Sequence, residues 1–443
     1  MVNHHMFVIS VSQKGARFMY KKAIRFVLAA AVILAAVPML SGCGMEKTDF
    51  PVQFALYNGT YFAVTEDDSN YYFMEGNYLC FLNKKTGETN PVCTRPGCEH
   101  QNEPYEKGEN RKCNALVLGR AGESPFVQYD NGWIYTFSED VKQKTAGDGN
   151  LDGDEYLVRI SADGKKREEI CQIRLTPERQ SVTYTPPFLA IHRGYLYIGA
   201  CGSPLEEMST DFVFEMSRLP MDNLTAEPEL LFSVHGGCLA LVPMGDHLYW
   251  GGSDSTQTLK LFDYDLKTGK LSAVAENCFL IGTQQGKLVL EETPSPEETN
   301  YTPATEKSFS LYDPETGEMS PWLTVPLTED LVEEDPWPDD WTFYADDQYL
   351  YAFNSLDDIM DQTFGQVMRV YDADGNVICA KKLDTLYSGY YFIAGKEQAF
   401  LHTSEGFESN LLVFKKEEGF PFSRYGWGNM TAMLMESNRL TAE

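Results

Sequence analysis

From about residue 53 onward the chain alternates apolar and polar residues in short runs, and the runs are separated by turns rich in Gly, Asp and Asn. Period-two alternation predicts half-buried β-strands, and Tyr, Phe, Val and Leu suit that setting. Two phrases recur. The first is a turn followed by an aromatic strand, as in Asp130-Asn131-Gly132-Trp133-Ile134-Tyr135, His192-Arg193-Gly194-Tyr195-Leu196-Tyr197 and Met244-Gly245-Asp246-His247-Leu248-Tyr249-Trp250. It returns at Gln285–Leu290 and Asp346–Tyr351, and more loosely at Gly395–Phe400. The second is strand, turn and strand, as in Leu261-Phe262-Asp263-Tyr264-Asp265-Leu266-Lys267-Thr268-Gly269-Lys270 and Leu311–Glu318, with variants at Leu82–Glu88, Ile160–Lys165 and Val370–Asn376. Thr-Gly or Asp-Gly between such strands supplies the positive φ of a tight hairpin. Because these phrases recur along the chain, they read as turn and core residues rather than as a catalytic signature.

Successive first phrases are spaced by roughly 40 to 60 residues, the length of a four-stranded propeller blade. One blade cannot bury its own faces, so several must pack radially. The expected fold is therefore all-β, a β-propeller over 52–425, with blades near 61–93, 126–173, 188–234, 238–277, 278–325, 339–384 and 389–416. Seven is the preferred number, with six or eight open. The strand near Gln53–Tyr57 is expected to complete the last blade. Helical periodicity is confined to the N-terminal segment and the tail, 426–443. No Ser/Gly- or Pro-rich linker divides the chain. The Pro-, Glu- and Thr-rich stretch from Thr293 to Glu306 reads as a mobile rim loop.

The N-terminus departs from this pattern. Lys21, Lys22 and Arg25 precede an apolar run from Phe26 to Leu40, and small residues lead to Cys43. This is the layout of a secretory signal, and the run is shorter than the roughly 20 residues of a transmembrane helix. The ending Leu40-Ser41-Gly42-Cys43 resembles the lipobox of bacterial lipoproteins. That resemblance implies cleavage after 42, lipid on Cys43, a tether over 43–51, and a protein anchored to the outer face of the cell membrane. Met19-Tyr20-Lys21-Lys22 is a natural alternative start. Residues 1–42 hold five Lys or Arg and no Asp or Glu, so cleavage leaves 31 of the 36 basic residues against all 65 acidic ones, a formal charge of −34. Such a surface excludes nucleic acid as a partner.

The sharpest chemical constellation is Cys93-Thr94-Arg95-Pro96-Gly97-Cys98-Glu99-His100 followed by Cys113. Three thiols and an imidazole can close a tetrahedral structural zinc site, and Pro96-Gly97 supplies the turn that joins the arms. A disulfide from Cys93 or Cys98 to Cys113 is the competing reading for an exported chain, and free thiols are the third. With Cys43 lipidated nine cysteines remain, an odd count that argues against a full disulfide framework. Cys80, Cys171, Cys201, Cys238, Cys278 and Cys379 read mostly as small buried strand residues. The hairpin ending in Thr86-Gly87, then Cys93, Cys98 and His100, then Cys113-Asn114-Ala115, resembles uncharacterised surface lipoproteins of Gram-positive gut bacteria. The resemblance implies a propeller-like surface protein and lends no activity.

Two weaker candidates follow. Asp148, Asn150, Asp152 and Asp154 alternate around Gly149 and Gly153 like the opening of a calcium loop, but Arg159 stands where the bidentate Glu belongs. An acidic hairpin tip is the competing reading. Thr328 to Trp341 carries seven acidic residues with Trp337 and Trp341. The two rings can contact a ligand such as a sugar, or cover the core beneath a loop. No nucleophile elbow, phosphate-binding glycine loop or His-Glu-x-x-His helix is present. His192, His235, His247 and His402 occur singly and read as solvated turn residues. The functional expectation is a lipid-anchored propeller with a non-enzymatic binding or scaffolding role for a protein, peptide or glycan. The alternatives are an exported propeller enzyme acting on polysaccharide, a lyase or glycosidase, or a structural metal-binding lipoprotein.

Overall fold

The computed structural model describes residues 55–56, 64–75, 78–98, 100, 113–117, 126–140, 154–173, 181–204, 212–256, 258–293, 305–327, 341–358, 363–383, 391–395, 397–405 and 408–426. The chain divides into 1–48 and 49–443, and only the second unit holds described residues. Its described elements are all strands, and they form successive antiparallel four-strand meanders.

After the short β1 (Ala55–Leu56), the first meander is β2–β5 (Val64–Glu66, Asn70–Glu75, Tyr78–Asn83, Thr89–Pro91). The second is β6–β9 (Gln128–Asp130, Trp133–Asp140, Asp154–Ser161, Arg167–Ile173). The third is β10–β12 (Ser181–His192, Tyr195–Pro204, Val213–Pro220) with the first half of β13 (Glu229–Met244). The rest of β13 opens the fourth, with β14–β16 (His247–Asp254, Leu259–Asp265, Leu271–Glu276). The fifth is β17–β20 (Cys278–Gln284, Lys287–Glu292, Glu306–Tyr312, Met319–Pro326). The sixth is β21–β24 (Trp341–Ala345, Leu350–Asp358, Thr363–Tyr371, Val377–Leu383). The seventh is β25–β28 (Tyr391–Ala394, Gln398–Glu405, Glu408–Lys415, Phe422–Gly426). Each stretch expected to be a blade holds the body of one meander, but the third meander begins earlier, at Ser181, and the seventh runs past 416 to Gly426.

The turns work as the repeated phrases imply. In the loop after β15, Asp265 Oδ1 accepts from the backbone N–H of Lys267 at 2.8 Å and of Thr268 at 3.0 Å. Gly269 then takes φ +70° and donates to Asp265 O at 2.8 Å. Asp313 repeats this between β19 and β20, and Asn83 does so between β4 and β5. The recurring Asp is a turn anchor, as its placement suggested.

What holds the meanders together is a circuit of aromatic pairs, one across each seam. Tyr72 stacks on Tyr129 at 5.9 Å between the first and second meanders, and Phe126 on Phe188 at 5.2 Å between the second and third. Phe214–Trp250, Tyr249–Tyr312, Phe309–Phe343 and Tyr349–Phe420 continue round at 5.8, 6.0, 4.9 and 5.2 Å. Phe400 of the seventh then meets Tyr71 of the first edge-on at 4.8 Å. Rings bury large areas and hold preferred geometries, so the high aromatic content is spent on these faces. The first strand of each meander also neighbours the first strand of the next, from β2 to β25. This is the radial packing of a β-propeller.

Closure differs from expectation. The last meander finds its fourth strand in its own sequence, where β28 pairs with β27 after the Glu417-Glu418-Gly419 turn. Of the stretch Gln53–Tyr57 only Ala55 and Leu56 are described, and as β1 they pair with Leu241 and Ala240 of β13 rather than with the last meander. The physical reason is that Phe420 is buried and Phe414 packs on Phe422 at 5.1 Å, so the outer edge of the last meander is already covered locally. The rim loop 294–304 and the tail beyond 426 lie outside the described residues.

Candidate metal centre

The first meander ends at Pro91, and the next residues form a loop whose two arms are tied to one residue of β4. Leu79 O accepts from Val92 N at 2.8 Å, and Leu79 N donates to Ala115 O at 2.9 Å. Leu79 itself is fully buried. The outgoing arm carries Cys93 and turns at Pro96-Gly97, where Cys98 N donates to Arg95 O at 3.2 Å. The return arm carries Cys113, and Leu116 bridges to Tyr78.

This geometry gathers all four residues singled out in the sequence. The ligand atoms of Cys93, Cys98, His100 and Cys113 lie within 4.8 Å of one another. His100 Nδ1 stands 3.5 Å from both Cys98 Sγ and Cys113 Sγ. A tetrahedral zinc ion with bonds of about 2.3 Å to sulfur and about 2.0 Å to nitrogen has S···N edges of about 3.5 Å. These two edges of the quartet therefore match those of a zinc coordination shell. His100 sits at φ +54°, in the left-handed region that non-glycine residues adopt uncommonly.

The electrostatics fit the same chemistry. Burial raises the Cys93 thiol, but backbone N–H groups of Arg95 and Asn114 and the adjoining thiols of Cys98 and Cys113 outweigh it and leave the pKa lowered. Cys113 is pushed well up by burial and then by the charge of Cys93 and Cys98. Burial lowers His100, which favours the neutral imidazole that a metal requires. Several sulfurs at this distance can all be thiolates only beside a cation. Cys93, Cys98 and Cys113 stand side by side as thiols, an arrangement from which either metal binding or a disulfide can follow.

The other sequence candidates lie elsewhere in the fold or outside the described residues. Cys43, Asp148, Asn150, Asp152 and Trp337 lie outside the described residues, as do the side chains of Asp154 and His402. The backbone of Asp154 opens β8 opposite Asp140. Trp341 is a core residue, buried with Phe343, Ile281 and Leu327, rather than an exposed ring. His192 corrects the expectation of a solvated turn: it is fully buried, and its Nε2 lies 2.7 Å from Gly245 O of the next meander. The seam needs a polar group there because Gly245 presents a carbonyl to it. His247 is partly exposed and pairs with Asp263 at 2.8 Å, while His235 is exposed. Cys80, Cys201, Cys238, Cys278 and Cys379 are buried in strands, as expected.

A second polar cluster had no sequence signal. Asp346, 1 % exposed, accepts from Gln348 N at 2.8 Å, Tyr349 N at 2.9 Å and Tyr351 Oη at 2.7 Å, and it pairs with Lys416, 4 % exposed, from the seventh meander. The partners are 70 residues apart.

No protein-family model matches the chain, and no curated protein does. Solved structures are similar at low identity. An oligogalacturonate lyase in complex with manganese is 11 % identical, with 84 % of this chain and 89 % of that one covered and a TM-score of 0.46. The β-propeller domain of the Trilobed protease from Pyrococcus furiosus is 10 % identical, over 81 % and 94 %, at 0.42. A puromycin-hydrolyzing peptidase from Mycobacterium tuberculosis is 13 % identical at 0.41, and the 80 % of this chain that aligns spans about half, 51 %, of that one. The similar structures are mostly those of enzymes, peptidases and a lyase, which runs against the expected non-enzymatic binding or scaffolding role and sits better with its alternative of an exported propeller enzyme. The likeness is one of fold and assigns this chain no substrate or catalytic residue.

Proposed function

We propose that this chain is an exported, lipid-anchored propeller that carries a structural zinc centre at Cys93, Cys98, His100 and Cys113. The observation that carries this reading is the convergence of three sulfurs and one ring nitrogen within 4.8 Å. A closed four-ligand shell of this type leaves no position for substrate, so its role is to hold the fold. The donor set favours a borderline-soft cation over calcium or magnesium, which take oxygen ligands. Anchoring rests on the run ending at Cys43.

The test is the native mass of the purified chain with and without a chelator. A zinc-sized increment, lost with chelator and absent from Cys98→Ser, supports the centre. A metal-free mass two hydrogens short per bond would instead establish disulfides. Separately, Cys43→Ser should release the protein from the membrane fraction, and retention would sink the anchor.

A further inference from the structure

The loop that carries the quartet does not stand alone on the first meander. It is seated on the β8–β9 turn of the second, and the contact passes through Gly164. Its carbonyl oxygen accepts from Thr94 N at 3.2 Å and from Asn114 Nδ2 at 2.9 Å. Thr94 follows Cys93 and Asn114 follows Cys113, so one oxygen of the second meander ties both ligand arms. The neighbouring Asp163 O accepts from Thr94 Oγ1 at 2.9 Å. Arg167 of β9 reaches over the return arm, donating to Leu116 O, and its other nitrogen donates to Ser138 Oγ at 3.0 Å.

Gly164 fits here on two independent counts. It takes φ +70°, and a Cβ built on it would lie 2.8 Å from Cys93 N, 2.9 Å from Cys93 Cα and 2.9 Å from Thr94 N. These are backbone atoms of a ligand residue and its neighbour, so any side chain must push the first arm off the turn.

We infer that metal occupancy of the quartet is coupled to the seam between the first and second meanders, with Gly164 as the positioning residue that sets the ligand arms. This rests on the zinc reading above and adds what governs the site. Groups that orient metal ligands from outside the shell typically contribute 10- to 100-fold in affinity. Linkage is reciprocal: if the turn sets the affinity, bound metal must tighten the turn.

The experiment titrates the full-length chain with cobalt(II), read by thiolate charge-transfer absorption, and competes it with zinc. Gly164→Ala should weaken binding by about 10- to 100-fold. Gly194→Ala is the control, because Gly194 shares the left-handed backbone at φ +77° but has nothing within 4 Å of an added Cβ. Asn114→Ala, which removes one tie without a clash, should weaken binding in the same direction. Amide exchange over 161–167 should slow when metal is added to the wild type. Wild-type binding with Gly164→Ala equal to Gly194→Ala, and no change in exchange over 161–167, would overturn the coupling and leave the zinc centre standing. A wild type that takes up no cobalt or zinc overturns the zinc reading itself, and with it this inference.

Discussion

Two seams of this propeller are locked by polar groups, and they solve the same problem differently. Between the sixth and seventh meanders, Asp346 receives two backbone donors, the Tyr351 hydroxyl and the Lys416 ammonium, so charge and hydrogen bonds close within the protein. Between the first and second, the Cys/His quartet gathers three sulfurs and one ring nitrogen, all within 4.8 Å of one another. One lock is complete in its own residues, whereas the other, on the zinc reading proposed above, closes through an ion. The Asp346 motif also has a counterpart in the first meander: Asp67 receives Ser69 N, Asn70 N and the Tyr72 hydroxyl, each at 2.7 Å. There the lysine, Lys84, reaches Glu66 and the carbonyl of Asp67 rather than its carboxylate. The same turn therefore serves an ordinary hairpin in one place and a buried ion pair in another.

This comparison can be broken by removing one partner from each lock. Asp346→Ala strands a buried ammonium and the Tyr351 hydroxyl, and should cost about 3–5 kcal/mol, read as a fall in the urea midpoint. Pairing Asp346→Asn with Lys416→Met should recover much of that loss, since no buried charge is then left alone. The quartet should respond to metal instead. With free zinc at about 100 times Kd, the ion stabilises by about 2.7 kcal/mol, seen as a chelator-sensitive melting temperature. Cys98→Ser should melt at one temperature with or without chelator, and the Asp346 variants should keep the wild-type chelator shift.

A smaller effect belongs to the closing seam, which has the aromatic contact with no polar lock of either kind among the described residues. Phe400→Leu removes the edge-on contact to Tyr71 and should cost about 1 kcal/mol, without altering metal uptake. The smallest is electrostatic and sharpens the turn beneath the quartet. Asp163 is lowered to about 2, first by its hydrogen bond with Lys165 and then by the Ser161 hydroxyl. A depressed carboxyl stabilises the fold above its unfolded pKa of about 3.9, and that contribution is lost as pH falls. The difference between wild type and Asp163→Asn should therefore be full above about pH 4 and close towards about pH 2, measured by thermal melts of the metal-free protein. A difference that grew on acidification would contradict this arrangement of the turn.

Much of the molecule is legible before folding. Alternation and the Asp-to-Gly turns are local properties, set by the pleat of a strand and by the φ a hairpin needs, so hairpin positions follow from the residues alone, while the last meander's fourth strand, beyond the repeated phrases, does not. The spacing of Cys93, Cys98, His100 and Cys113 is local too, which is why the quartet can be picked out as a cluster while its state stays open between metal and disulfide. Missed features are those that span seams. Lys416 meets Asp346 across 70 residues, and Gly164 meets Cys93 and Thr94 across about as many. Neither contact has a period or a motif, because each depends on how two meanders dock. His192 was misread for the same reason: its turn is local, but its burial comes from the neighbouring meander.

The sequence by itself determined the strands and turns, which depend on contacts within one meander, and the Cys/His quartet, whose members lie close together along the chain. Tertiary structure alone decided the pairing of β1 with β13, the buried ion pair and the seat of the ligand loop on Gly164. Radial packing brings together residues from different meanders, and the energy of those contacts is written in no single stretch of the chain.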